Sequence, residues 1–270
     1  MNQLSAGEVI LDLNDVAVTY AGGVEALKNV SLAFRRGEFT VLLGMSGAGK
    51  STLLRCLNHL ARPTRGAVRA ANLGTLDDSA NLRRHRRRTA MVFQHHQLIG
   101  RRSALDNVLT GRLGYHGTWR SMLPLPKADL QFALQCLERV GLLDKALTRT
   151  DQLSGGQQQR VGIARALAQQ PTLILADEPV ASLDPATSEK VLELLRTVCA
   201  EDGITAIVSL HQLELARRFA DRIVGVAQAR IVFDGASAEL HAEHLARIYA
   251  GHRPQPAPVH HALSFAASAA

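Results

Sequence analysis

Three features of the 270-residue sequence predict an α/β fold built on a mostly parallel sheet. First, short continuous apolar runs occur at Phe39-Thr40-Val41-Leu42-Leu43, Leu173-Ile174-Leu175-Ala176, Ile204 to Ser209 and Ile223 to Val226. Such runs, without polar alternation, belong to strands covered on both faces, as in a parallel sheet flanked by helices. Second, intervening stretches carry apolar residues at helical spacing, as at Leu53, Leu54, Leu57 and Leu60, and again at Leu130, Ala133, Leu134, Leu137 and Val140. Third, a glycine-rich loop joins the first apolar run to the first helix.

Taken in order, Val9 to Phe39 shows short alternating runs broken by turns at Gly22-Gly23 and Arg36-Gly37, the pattern of an antiparallel β portion, and residues near 66 to 76 add to it. Ala90-Met91-Val92-Phe93 is a further short strand ending at Gln94. Residues from about 95 to 162 are rich in helical patterns and form a helical subdomain. The core then resumes with the strand ending at Asp177 and closes with Ile204 to Ser209 and Ile223 to Val226. One domain is expected over residues 1–250. The tail, 251–270, contains Pro254, Pro256 and Pro258, finishes in small residues and is expected to be disordered.

The loop Gly44-Met45-Ser46-Gly47-Ala48-Gly49-Lys50-Ser51 fits G-x-x-x-x-G-K-[ST] between a strand and a helix, the setting that pattern requires. Glycines at 44, 47 and 49 let the backbone approach a ligand closely and turn successive amides toward phosphate oxygens, while the helix start adds its dipole. Lys50 would neutralise charge on the β- and γ-phosphates of ATP, and the Ser51 hydroxyl would ligand Mg²⁺. Thr52, which follows, is counted with this nucleotide-binding loop. The Leu173 strand ends in Asp177-Glu178. Ligands of open α/β sheets sit beyond the carboxyl ends of the strands, so Asp177 is placed to hold Mg²⁺ and Glu178 to polarise an attacking water.

Leu153-Ser154-Gly155-Gly156-Gln157 lies between these two elements and is foreign to general phosphate-loop chemistry. With it, the chain resembles the nucleotide-binding subunit of ATP-binding cassette transporters over roughly residues 8 to 250, with the motifs in the family's order. The resemblance implies a phosphate-loop NTPase fold with a RecA-like core, an antiparallel β subdomain and a helical subdomain bearing the signature. It implies that Tyr20 stacks on adenine, that Gln94 is the glutamine of the loop between lobes and reaches the metal, that Ser182-Leu183-Asp184 crosses the dimer interface, and that His211 is the switch histidine. It also implies a head-to-tail dimer of two copies with two ATP molecules sandwiched between them. Ser154, Gly155, Gly156 and Gln157 of one copy then close over the γ-phosphate held by the other. Read from the residues alone, Tyr20 has the alternative of sharing a core face with Val16 and Val18, with which it alternates.

Length and composition set bounds. With 46% hydrophobic residues the chain can bury a substantial core, which one cassette nearly uses up. No run approaches the roughly 18 to 20 apolar residues of a spanning helix, and the amino end lacks a signal-peptide pattern, so the expected location is the cytoplasmic face of the inner membrane, reached through a partner. Cys56, Cys136 and Cys199 form no C-x-x-C and read as buried apolar residues. Eleven scattered histidines, His95-His96 included, show no zinc spacing, leaving Mg²⁺ as the expected metal. The net charge of +7 and the run Arg83-Arg84-His85-Arg86-Arg87-Arg88 raise nucleic acid as a partner. Without interleaved aromatics or a nucleic-acid fold, the run reads instead as a solvated, helix-capping face.

Within the family the chain looks most like the ATPase of bacterial phosphonate importers. The residues that carry this are Asp106-Asn107-Val108-Leu109, Gly111-Arg112-Leu113-Gly114, Trp119-Arg120, Leu175 to Pro185 and Ser209-Leu210-His211-Gln212. The implied partners are transmembrane permease subunits and, indirectly, a phosphonate-binding protein outside the membrane. Importers of polar amino acids or phosphate are the competing readings, followed by a soluble non-transport cassette ATPase.

Overall fold

The computed structural model describes residues 7–94, 97–117 and 125–250. The pair His95-His96, the Trp119-Arg120 pair and the tail from 251 lie outside the described residues.

Two sheets organise the chain. β1 (Val9–Thr19) and β2 (Glu25–Arg35) form an antiparallel pair, and β1 also pairs antiparallel with β4 (Arg65–Ala70), which carries the short β5 (Gly74–Thr75). The second sheet has six strands in the order β10–β9–β3–β8–β7–β6, where β3 is Phe39–Leu43, β6 Thr89–Val92, β7 Leu173–Asp177, β8 Thr205–Leu210, β9 Arg222–Ala227 and β10 Arg230–Ala236. Its pairs are parallel except β9–β10. The sheet therefore does not close at Val226: an edge strand folds back antiparallel on β9.

The continuous apolar runs are explained by the two cores that this sheet separates. Alternate residues of each strand feed opposite faces. Val41, Leu43, Ile174, Ala176, Ala206, Val208 and Leu210 enter one core, while Leu42, Leu173, Leu175 and Ile207 enter the other. Each buried leucine here contributes about 1.5–3 kcal/mol relative to exposure, so a polar residue on either face is costly. The second core is completed by α1 (Lys50–Leu57) and the β1–β2–β4 sheet, the first by the helices beyond α2.

Several helices start where short side chains cap them. α2 (Ser79–Arg88) begins at Asp78, α3 (Ala104–Leu109) at the Ser103–Asp106 capping box and α6 (Pro185–Asp202) at Asp184 with proline at its first position. α6 stops at Gly203, whose φ of 62° suits a glycine cap. α4 (Lys127–Arg139) and α5 (Gly155–Ala168) pack with α3 into a helical layer, and α7 (Leu213–Phe219) and α8 (Ala242–Ile248) follow the core strands. α5, whose start carries the signature, runs on to Ala168. The basic run divides by position. His85 is buried, with Nε2 2.8 Å from the Leu57 carbonyl, and Arg86 donates to the carbonyls of Asn58 and His59, so α2 caps the end of α1.

Among the described residues no helix is long and apolar enough to cross a membrane. Cys56, Cys136 and Cys199 sit buried in α1, α4 and α6, and burial pushes their thiols up to about 12, 11 and 12. All three should therefore resist a colorimetric thiol reagent at neutral pH in the native protein and react only in denaturant. Fast native labelling of any of them would show that its helix does not pack as described.

Candidate functional site

The site is built at the carboxyl ends of β3, β7 and β8 and the start of α1. Gly49 precedes α1 with φ 113°, no side chain caps that helix, and its first turn carries no acid. Its leading amides are thus left for an outside acceptor, unlike those of α2, α3, α5 and α6, which their own caps engage. A Cβ on Gly44 would lie 2.2 Å from the Val226 carbonyl oxygen, and one on Gly49 2.6 Å from that of Ala26. Both glycines are therefore required by backbone that cannot step aside. Gly47, at φ 79°, faces open space and is required by conformation alone. Met45, Ser46 and Ala48 complete the loop, which the Ala229 amide ties to β9–β10 through the Ala48 carbonyl.

Lys50 is 3% exposed, a burial that an ammonium tolerates only when surrounded by acceptors. Its Nζ donates to the carbonyls of Gly44 at 2.8 Å and Met45 at 3.0 Å and lies 3.3 Å from Glu178 Oε1. Ser51 Oγ donates to Asp177 Oδ1 at 2.8 Å, and Ser209 Oγ, from the neighbouring strand, donates to the same oxygen at 3.0 Å. The Glu178 amide donates to Ser209 Oγ at 2.8 Å. Glu178 itself holds φ 44°, a left-handed conformation uncommon for a non-glycine residue and a form of strain concentrated at working sites. His211 Nδ1 stands 3.8 Å from Glu178 Oε2. Lys50, Ser51, Asp177, Glu178 and His211 thus converge.

The remaining predicted residues fall around them. Tyr20 lies just past the end of β1 and is 42% exposed, whereas Val16 and Val18 are buried; it does not share their core face, and its hydroxyl is 3.3 Å from Thr52 Oγ1. Gln94 follows β6 at the same sheet edge as Asp177, but among the described residues no hydrogen bond joins it to Ser51 or Asp177. The Leu153–Gln157 segment is not drawn into this cluster. Ser154 and Gln157 form a capping box at the start of α5, Ser154 Oγ accepting the Gln157 amide at 3.3 Å. The two signature glycines abut α6 and the turn before it: a Cβ on Gly156 would lie 2.5 Å from Thr187 Cγ2, and one on Gly155 3.3 Å from Leu183 Cδ2. Asp184 caps α6 through the Thr187 amide at 3.0 Å, and the Thr187 hydroxyl and amide hold its carboxyl below the ordinary value.

Sequence reasoning missed Ser209 as a site residue, and it missed the seating of the signature glycines on Leu183 and Thr187. Ser209 had one signal, a hydroxyl at the carboxyl end of a mostly apolar run. As a metal site the cluster offers hard oxygen donors, the Ser51 hydroxyl and the Asp177 carboxylate, which suit Mg²⁺ shared with phosphate oxygens. Among the described residues no group of three His, Cys, Asp or Glu side chains forms a metal cage.

A buried lysine in a glycine loop, a hydroxyl on a strand-end aspartate and a glutamate beside them define a phosphate-loop ATPase. The chain belongs to the ABC transporter family, whose model matches residues 27–181. It is 69% identical to the phosphite import ATP-binding protein PxtA of Stutzerimonas stutzeri, over 90% of this chain and 88% of that one. It is 63% identical to the phosphonates import ATP-binding protein PhnC 3 of a Nostoc species, over 89% of this chain and 92% of that one. Among solved structures it resembles the ATP-binding cassette MJ0796, a dimer in a post-hydrolysis state bound to ADP and Pi, with TM-score 0.74 and 39% identity over 84% of this chain and 99% of that one. The cassette cbiO1 of Clostridium perfringens matches with TM-score 0.77 and 28% identity, over 89% of this chain and 94% of that one.

Two substitutions separate the roles of loop and lysine. Lys50→Ala should reduce ATPase turnover by well over about tenfold, because it removes a charge clamp worth several kcal/mol in the transition state. Gly44→Ala should weaken nucleotide binding itself, read by fluorescent-nucleotide titration, since its Cβ meets backbone. Near-normal turnover in the first or unchanged affinity in the second would contradict the placement.

Proposed function

We propose that this chain is the ATP-hydrolysing motor of an importer of phosphonates, working as a pair of cassettes beneath transmembrane permease subunits. The observation that carries the ATPase part is the convergence of Lys50, Ser51, Asp177 and Glu178 at one sheet edge. In this reading Lys50 exchanges its contacts with the loop carbonyls for the β- and γ-phosphate oxygens, and the uncapped amides of α1 hold the phosphates. Tyr20 offers its exposed ring to adenine. Ser51 and Asp177, with Gln94, would hold Mg²⁺, which when bound offsets charge on the phosphates. Glu178 takes a proton from the attacking water, and His211, on the far side of that carboxylate, orients it. Ser154, Gly155, Gly156 and Gln157 of a second copy would close over the γ-phosphate, with Asp184 near the crossing between copies.

The MJ0796 cassette is a dimer, which supports the paired arrangement. Permease docking is supported by exposed leucine and isoleucine side chains on the helical layer. Ile99 is 50% and Leu147 83% exposed, on two segments stitched together by the bridge between Ser103 and Arg149 and the hydrogen bond from the Ala104 amide to the Thr148 carbonyl. Such docking would hold the chain at the cytoplasmic face of the inner membrane. The substrate reading rests on relatives named for phosphonate import. A second reading, phosphite, is favoured by the higher identity to PxtA.

Glu178→Gln should retain ATP and accumulate as a dimer in size-exclusion chromatography with ATP and Mg²⁺, having lost the base but kept the shape. A Glu178→Gln chain that hydrolyses normally contradicts the role. For the substrate, cells lacking this gene should lose uptake of labelled phosphonate as sole phosphorus source. Loss of phosphite uptake alone would support the second reading, and loss of amino-acid or inorganic phosphate uptake instead would refute both.

A further inference from the structure

A cleft of about 590 Å³ lies between the end of α4, the start of α5 and the outer face of α6. Its walls include three cations, Arg139, Arg160 and Lys190, the hydroxyls of Ser154 and Thr187, and no carboxylate. Arg139 is already matched by Glu201 at 2.9 Å and Asp202 at 2.6 Å. Arg160 and Lys190 are not: among the described residues neither has an acid within ion-pair distance, and Arg160 spends one N–H on the Val140 carbonyl at 3.1 Å. A concave surface carrying one sign of charge concentrates counter-ions, and a guanidinium beside hydroxyls suits tetrahedral oxyanions. Val191 and Leu194 give the cleft an apolar wall as well, so an anion with a small organic substituent fits better than a bare charge alone would require.

We infer that this cleft binds a small phosphorus oxyanion, with Arg160 and Lys190 as its charged contacts. The site is separate from the phosphate loop, which lies across the core sheet's edge at Gly44 to Ser51. It shares Ser154, Gly156 and Gln157 with the signature, and Thr187, which seats Gly156, is part of its wall. An occupant therefore lies against the segment proposed to meet a second copy, and binding there should oppose pairing. Such an anion has two sources, the phosphate released from ATP and the phosphonate or phosphite delivered by transport. In either case a rising internal concentration would slow the motor. This regulatory consequence rests on the importer reading; the binding does not.

The test is isothermal titration of inorganic phosphate, and separately of methylphosphonate, into the full chain saturated with ADP and Mg²⁺, compared with Lys190→Glu and Lys190→Arg. The expected result is binding by at least one of the two anions that Lys190→Glu weakens by about tenfold or more and Lys190→Arg preserves. The anion that shows this dependence identifies the source. ATPase activity of Lys190→Glu without added anion should match the parent chain, while inhibition by the anion should be lost. Equal affinity in all three chains, or no binding by either anion, would overturn the site. So would anion binding that appears only with ATP in the paired state, since it would then report the partner's γ-phosphate. Binding that passes this test in a chain later found to serve a different importer would leave the site standing and remove only its feedback role.

Discussion

The site depends on one carboxylate oxygen. Asp177 Oδ1 accepts hydroxyl protons from Ser51, at the head of α1, and from Ser209, at the end of β8, and Ser209 in turn accepts the Glu178 amide. One acceptor thus fixes the phosphate-loop helix, two core strands and the turn that carries the glutamate. The register makes this possible, because Asp177 and Ser209 are direct partners in the parallel β7–β8 pair. The same fixing holds Glu178 in a left-handed conformation that an unsupported turn would not keep, at a cost of order 1–3 kcal/mol. The strained residue is also the one placed to activate water.

A second constraint ties the helical layer to this core. α5 starts against α6, where a Cβ on Gly156 would collide with Thr187 and one on Gly155 would press on Leu183. At its other end, the Arg112 guanidinium donates to the Ala168 carbonyl at 3.0 Å and Tyr115 to the Gln169 carbonyl at 2.8 Å, while Gln169 reaches the carbonyls of Arg86 and Thr89. Arg112 also meets the buried Asp129, with His116 on its other oxygen. Burial pushes the Asp129 carboxyl up, but hydrogen bonds from His116 and Arg112 outweigh it and hold the group below its ordinary value. The helix carrying the signature is thereby gripped at both ends.

Much of this was legible from the sequence, for reasons that differ by residue. Lys50, Ser51, Asp177 and Glu178 sit in local patterns whose geometry follows from a strand, a tight loop and a helix. The parallel core announced itself through apolar runs that only two-sided burial explains. Ser209 was not legible as a site residue, since its role arises from pairing with a strand 32 positions away. The alternative that Tyr20 shares a core face with Val16 and Val18 fails because their alternation continues past the point where β1 ends and the Gly22-Gly23 turn begins. β10 escaped because an edge strand with one open face mixes polar and apolar residues. His85 was hidden among arginines, though it alone in that run is buried, against the end of α1. A role of Ser154 toward phosphate involves a second copy, and in one chain its Oγ accepts the Gln157 amide at the start of α5.

Mixing two inactive chains tests most directly whether a second copy completes the site. One chain carries Lys50→Ala and keeps its signature; the other carries Ser154→Arg and keeps its phosphate loop. Each alone should hydrolyse almost no ATP, because every site in either pair lacks one half. The mixture contains pairs with one intact composite site, so ATPase activity should reappear on mixing and scale with the fraction of mixed pairs. A mixture as inactive as its parents, or a Ser154→Arg chain that is fully active alone, would mean that each phosphate loop does not depend on a signature supplied by its partner.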